Sequence, residues 1–132
     1  MKTNLDTMFK TSSKAEQEGI DFIISDGVSF RVKRWHGPHS MEVRKLLAHK
    51  YKPYARQIQD GTISEAKATE SITTAFVETC VIGWDGVEID GEKKPFSKEE
   101  CIKLLIALPE LCNSLLTYAQ DTKNYREDLG NF

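Results

Sequence analysis

The stretch Gly83-Trp84-Asp85-Gly86-Val87-Glu88-Ile89-Asp90-Gly91-Glu92-Lys93-Lys94-Pro95-Phe96-Ser97-Lys98-Glu99-Glu100-Cys101, with the leucine-rich run that follows it to Leu111, decides the architecture. It opens as a glycine-punctuated loop from Gly83 to Gly86 and passes a second turn signal at Asp90-Gly91. Ser97, followed by Glu100, has the form of a capping box: the serine oxygen accepts from the Glu100 amide, and the glutamate reaches back to the Ser97 amide. Phe96, just ahead of the cap, can pack on Cys101 as a hydrophobic staple. Cys101, Leu104, Leu105 and Leu108 then recur at helical spacing. Pro109 can open a further helix, because a proline in the first helical turn sacrifices no intrahelical hydrogen bond.

Upstream of this stretch, Thr62 with Glu65 resembles a second capping box and predicts a helix over 63–80. Ala68, Ile72, Ala75, Phe76 and Thr79/Cys80 form its buried side, and Glu65, Lys67, Glu70 and Thr74 its exposed side. Ser40 caps a helix over 41–51 with Val43, Leu46 and Leu47 inward, and Pro53 ends it or starts a further turn carrying Tyr54 and Ile58. Between residues 19 and 35 the apolar residues alternate, and Asp26-Gly27 signals a β-hairpin. A three-residue loop, Ser25-Asp26-Gly27, pairs Ile20 with Val32, Phe22 with Phe30 and Ile24 with Val28, which places all six on one face. A two-residue loop would split them, so the longer loop is expected. Downstream, 109–122 reads as a last helix with Leu111, Leu115, Tyr118 and Ala119 inward. Leu5, Met8 and Phe9 could make one amphipathic turn, Thr11 to Lys14 looks like a flexible link, and 1–18 and 124–132 are expected to be flexible. The fold class is therefore α+β: roughly four or five helices and one N-terminal antiparallel β-hairpin in a single domain, 1–132.

Composition narrows the function classes. With 132 residues, 39% hydrophobic and 29% charged, the chain suits one soluble globular domain rather than a disordered segment. Eighteen basic residues against 20 acidic ones give a net charge of −2, without the basic excess of a nucleic-acid footprint. Arg31, Lys33, Arg34, His36 and His39 do cluster locally, and a small nucleic-acid-binding regulator using that Arg31–His39 cluster is the alternative reading. The wet face of a half-covered sheet explains the cluster more simply. No apolar run reaches the ~20 residues of a membrane helix, and the first residues lack a signal-peptide core. A cytoplasmic protein without membrane contact is expected.

No catalytic constellation stands out: there is no G-x-S-x-G, no Walker loop, no H-E-x-x-H and no G-x-G-x-x-G. The chain is expected not to be an enzyme and to need no cofactor. Cys80, Cys101 and Cys112 match no zinc spacing and are odd in number, so each is expected in the core. His36 and His39 flank a Gly-Pro turn with no third metal ligand nearby. Asp85, Glu88 and Asp90 lack the order and the distant glutamate of a calcium loop. Trp84 carries the largest apolar area of the central stretch. It is expected in the core, wedged between the two C-terminal helices; as an interface anchor it would be a hot-spot residue.

Over residues 76–126 the order G-W-x-G-[VI], a D-G turn, P-F-[ST]-x-E and a leucine-rich helix resembles the tail assembly chaperones of long-tailed bacteriophages. The matching positions are Gly83, Trp84, Gly86, Val87, Pro95, Phe96, Ser97 and Glu100. The resemblance implies a protein that binds the tape measure protein, keeps it soluble in the host cytoplasm, gathers tail tube protein around it, and is absent from the mature virion. The motif positions look structural and do not by themselves locate the partner groove; partner contacts are expected at Trp84, Val87, Ile89 and Phe96, and a surface built for this task is expected to form a homo-oligomer. Many such proteins are also made in a longer form by −1 ribosomal frameshifting, and Lys123-Asn124 and Leu129-Gly130-Asn131 can each be encoded over a slippery heptamer.

Overall fold

The computed structural model describes Leu5 and residues 10–126; Met8, Phe9 and the tail from residue 127 lie outside the described residues. The first element whose bounds fall within the described residues is α1, Ser13–Glu18, which starts because the Ser12 hydroxyl accepts from the Ala15 amide at 3.2 Å. Thr11 to Lys14 is thus a capped helix start rather than a flexible link. Within the described parts of the terminal segments, Ala15 and Tyr125 are buried, and Thr11 bridges Arg126.

Strands β1, Ile20–Ser25, and β2, Val28–Val32, form the expected hairpin, with Ile20 opposite Val32 and Phe22 opposite Phe30. The turn differs from expectation. Ser25, not Ile24, lies opposite Val28, so the loop is the two residues Asp26-Gly27, and the register recovers through a bulge at Ile24. A bulge inserts one extra residue and restores the facing of the strand beyond it, so Phe22 and Phe30 share a face with no third loop residue.

Next comes α2, Met41–Lys50, capped by Ser40, then a 3-10 turn at Lys52–Tyr54 and α3, Ala55–Asp60, which ends on Gly61 in the left-handed conformation. The long central helix α4, Glu65–Cys80, begins at Ser64, whose hydroxyl accepts from the Lys67 amide at 3.2 Å. The cap is therefore Ser64 and not Thr62. Ser71 and Thr73 through Val77 are all buried, Thr74 among them. Thr74 is tolerated inside because the Tyr51 hydroxyl donates to its Oγ1 at 3.1 Å, which removes the penalty of an unpaired buried hydroxyl.

Helix α4 passes without a loop into β3, Val81–Asp85, which pairs antiparallel with β2 and completes a sheet in the order β1-β2-β3. Gly83, Trp84 and Asp85 are thus strand residues and not a loop. A glycine C-cap is dispensable at this junction because other groups take the helix-end carbonyls. The Lys98 ammonium donates to Val77 O, Glu78 O and Val81 O at 2.9, 3.0 and 2.9 Å, and the Lys33 amide donates to Cys80 O at 2.7 Å. The strands β4, Glu88–Ile89, and β5, Glu92–Lys93, form a small hairpin. Asp90 and Gly91, both at positive φ, make its turn, as a two-residue mirror-image turn requires.

Helix α5, Lys98–Ala107, starts at Ser97, which accepts from the Glu100 amide at 3.1 Å. Helix α6, Pro109–Gln120, leaves α5 at an angle of 113°. A 3-10 turn, Thr122–Tyr125, follows. The core is one cluster in which Phe30, Val32 and Val81 of the sheet meet Phe76, Leu105 and Leu115 of the helices. Phe22 stacks on Tyr118 with centroids 4.1 Å apart, so α6 covers β1. The α+β class, with its N-terminal antiparallel strand pair, is as the sequence predicts.

Candidate partner-binding surface

Helix α4 carries more apolar surface than one neighbour can cover. Its Ala75, Phe76 and Cys80 enter the core, whereas Ala68 and Ile72 stay half-buried on another side. On one flank of that ridge, α2 and α3 leave a groove of about 420 Å³ lined by Leu47, Ala48, Tyr51, Ile58, Ile63 and Ile72 among others. On the other flank, α5 and α6 leave a groove of about 380 Å³, lined by Leu105, Ile106, Pro109 and Leu116. Ala68 and Ile72 belong to both grooves, so they lie side by side across a single helix. Ile58, Ile106 and Leu108 near them are exposed by 45, 44 and 49%. Grooves of this size and lining accept the side chains of an amphipathic helix.

The residues Trp84, Val87, Ile89 and Phe96 gather in a different place. Trp84 lies edge-on to Phe30 (centroids 5.8 Å apart) and to Phe96 (5.3 Å), and its indole N–H donates to Lys94 O at 2.8 Å. It therefore packs between β2 and the entry to α5, not between the two C-terminal helices as expected. Val87 is buried, and Ile89 and Phe96 are half-buried against the core. All four turn apolar surface inward, and what the structure shows of them is support for the sheet.

The local cations between Arg31 and His39 are largely engaged within the chain. Arg31 pairs with Asp21 at 3.2 Å and donates through Nε to Glu18 O. Arg34 binds Glu16 at 2.9 Å, with His36 3.7 Å from the same carboxylate oxygen and the Thr11 hydroxyl on the other. Burial disfavours charge on Glu16, but the hydrogen bonds from Thr11 and Arg34 and the nearby positive charges hold its carboxyl below the usual range. These contacts fasten α1 to the end of β2. Among the described residues, no group of three or more His, Cys, Asp or Glu side chains is placed to hold a metal ion.

Cys80, Cys101 and Cys112 are free and buried. Burial pushes the Cys101 thiol up to about 12 and raises the other two as well. Since the thiolate is the reactive form, a maleimide is expected to leave all three thiols unlabelled in native buffer and to modify all three in guanidinium. Rapid modification of any one in the native protein would contradict this burial.

The grooves were missed from the sequence because they depend on which helices become neighbours. Their signal was present in Ala68 and Ile72, which extend the apolar stripe of α4 beyond the width one partner can bury. Residues 38–129, more than half of the chain, match the profile of a family described as YdaY prophage protein. The match starts after the hairpin and takes in every helix that lines the grooves. No curated protein and no solved structure matches the chain.

Proposed function

The chain belongs to the YdaY prophage protein family, and from that premise we propose that it is a phage tail assembly chaperone. In this reading it binds the tape measure protein, keeps it soluble in the host cytoplasm, promotes assembly of the tail tube around it, and does not remain in the mature virion. It acts by binding alone, with no chemical step and no cofactor. The observation that carries the reading is the pair of apolar grooves on either side of the Ala68–Ile72 ridge. A tape measure protein is long and helical, and its exposed apolar stripes need temporary cover of this shape. The residues of the G-W-x-G and P-F-S-x-E segments support the same family resemblance through their sequence order.

Co-expression with the long helical protein encoded nearby in the prophage tests the proposal. The expected result is a several-fold rise in that protein's soluble yield and its co-elution with this chain on a sizing column. An unchanged yield with separate elution would sink the proposal.

A further inference from the structure

Arg44 lines the mouth of the larger groove from the exposed side of α2, and among the described residues its guanidinium has no hydrogen bond or ion pair. His39 lines the same mouth, also without a side-chain partner among the described residues. No aspartate or glutamate lines the groove. On α3 and α4, whose residues line the groove, Asp60 pairs with Arg56 at 3.9 Å and Glu70 with Lys67 at 2.7 Å. An apolar trough with an unpaired guanidinium at its lip is complementary to an apolar ligand that carries a carboxylate at one edge.

We propose that the paired grooves dock an amphipathic helix whose apolar stripe is flanked by an acidic residue, and that Arg44 receives the acid. This rests on the chaperone reading and deepens it by naming the chemistry of the bound segment. Apolar side chains along one face of the docked helix would enter the two grooves on either side of Ile72, since residues three, four and seven apart share a face. The acid then meets Arg44 at the α2 rim, where a planar guanidinium can bind a carboxylate through two parallel hydrogen bonds. The choice among apolar helices is therefore made by charge at the rim, while the grooves supply shape.

The test is selection of displayed helical peptides of roughly 20 residues, long enough for several turns, against the intact protein. The expected outcome is enrichment of sequences with apolar residues at i, i+3, i+4 and i+7 and Asp or Glu beside them. Arg44→Glu should weaken the enriched peptides by about tenfold or more and favour versions in which the acid is replaced by lysine, as charge complementarity requires. Ile72→Asp should abolish binding; Arg44 is exposed, so its variant keeps the fold and decides the matter even if Ile72→Asp fails to fold. No enrichment, enrichment without acidic residues, or equal binding by Arg44→Glu would overturn the proposal. So would self-association of the wild type that Arg44→Glu abolishes, because a second copy would then occupy the groove. If co-expression still raises the partner's soluble yield while the peptide selection fails, the chaperone reading survives and only this surface is rejected.

Discussion

Gly86→Ala is expected to lower stability by about 2–5 kcal/mol, the largest loss of any glycine-to-alanine change among the described residues. Gly86 has φ +74°, and a Cβ placed on it would lie 1.8 Å from the carbonyl oxygen of Gly27. The left-handed conformation alone costs a side-chain-bearing residue about 1–2 kcal/mol. The clash adds overpacking of about 1–3 kcal/mol, because backbone, unlike the end of a flexible side chain, must move to relieve it. Gly27→Ala is the internal control: its φ is +77°, yet a Cβ there meets nothing within 4 Å, so its cost should be close to the conformational part alone. Thermal melts of both variants separate the two effects. Gly86→Ala should melt on the order of 10–20 °C below wild type, and equal melting of the two would remove the steric account.

Lys98→Met is the second large effect, at about 2–4 kcal/mol. The substitution keeps the apolar stem and deletes the ammonium that donates to Val77 O, Glu78 O and Val81 O. Three charge-assisted bonds at a helix C-terminus would suggest a greater loss. Burial, however, pulls the pKa of this ammonium down, with Glu78 opposing, so the cation carries a desolvation cost that disappears with it. Lys98→Arg should not restore stability, since a planar fork cannot aim at three carbonyls that converge on one point. Denaturant unfolding of the three proteins gives the comparison, and a Lys98→Met variant within about 0.5 kcal/mol of wild type, the scatter of ordinary surface changes, would show that water replaces the ammonium there.

What was legible in the sequence was local. Ser40 and Ser97 cap their helices and Pro109 opens the last one because a cap needs only its own first turn. The pairing of Phe22 with Phe30 followed from alternation, and Asp90-Gly91 from the needs of a tight turn. What stayed hidden depended on distant residues. β3 was not recognised because Gly83 and a bulge between its pairings with Arg31 and Val32 blur the alternation of a five-residue strand. Thr74 looked exposed because its partner, Tyr51, lies 23 residues away. Ser64 and Thr62 are comparable caps by residue type, and only the direction of the helix chose between them. The candidate surface was the least visible, since Arg44, Ile58, Ile72 and Ile106 come from four helices that meet only in the finished fold.

Tyr125 has a consequence for how the protein is made. Its ring is fully buried, its hydroxyl donates to Val32 O across 93 residues of chain, and its carbonyl accepts from the Ser12 amide at 2.7 Å. Contacts that close so long a loop carry an entropic cost that local ones do not. During synthesis, α1 and β2 leave the ribosome long before the residue that clasps them together. The growing chain therefore waits with the outer end of its sheet unlatched, and a slip in the reading frame at Lys123-Asn124 would exchange the clasp itself, whereas one at Leu129-Gly130-Asn131 would leave it in place.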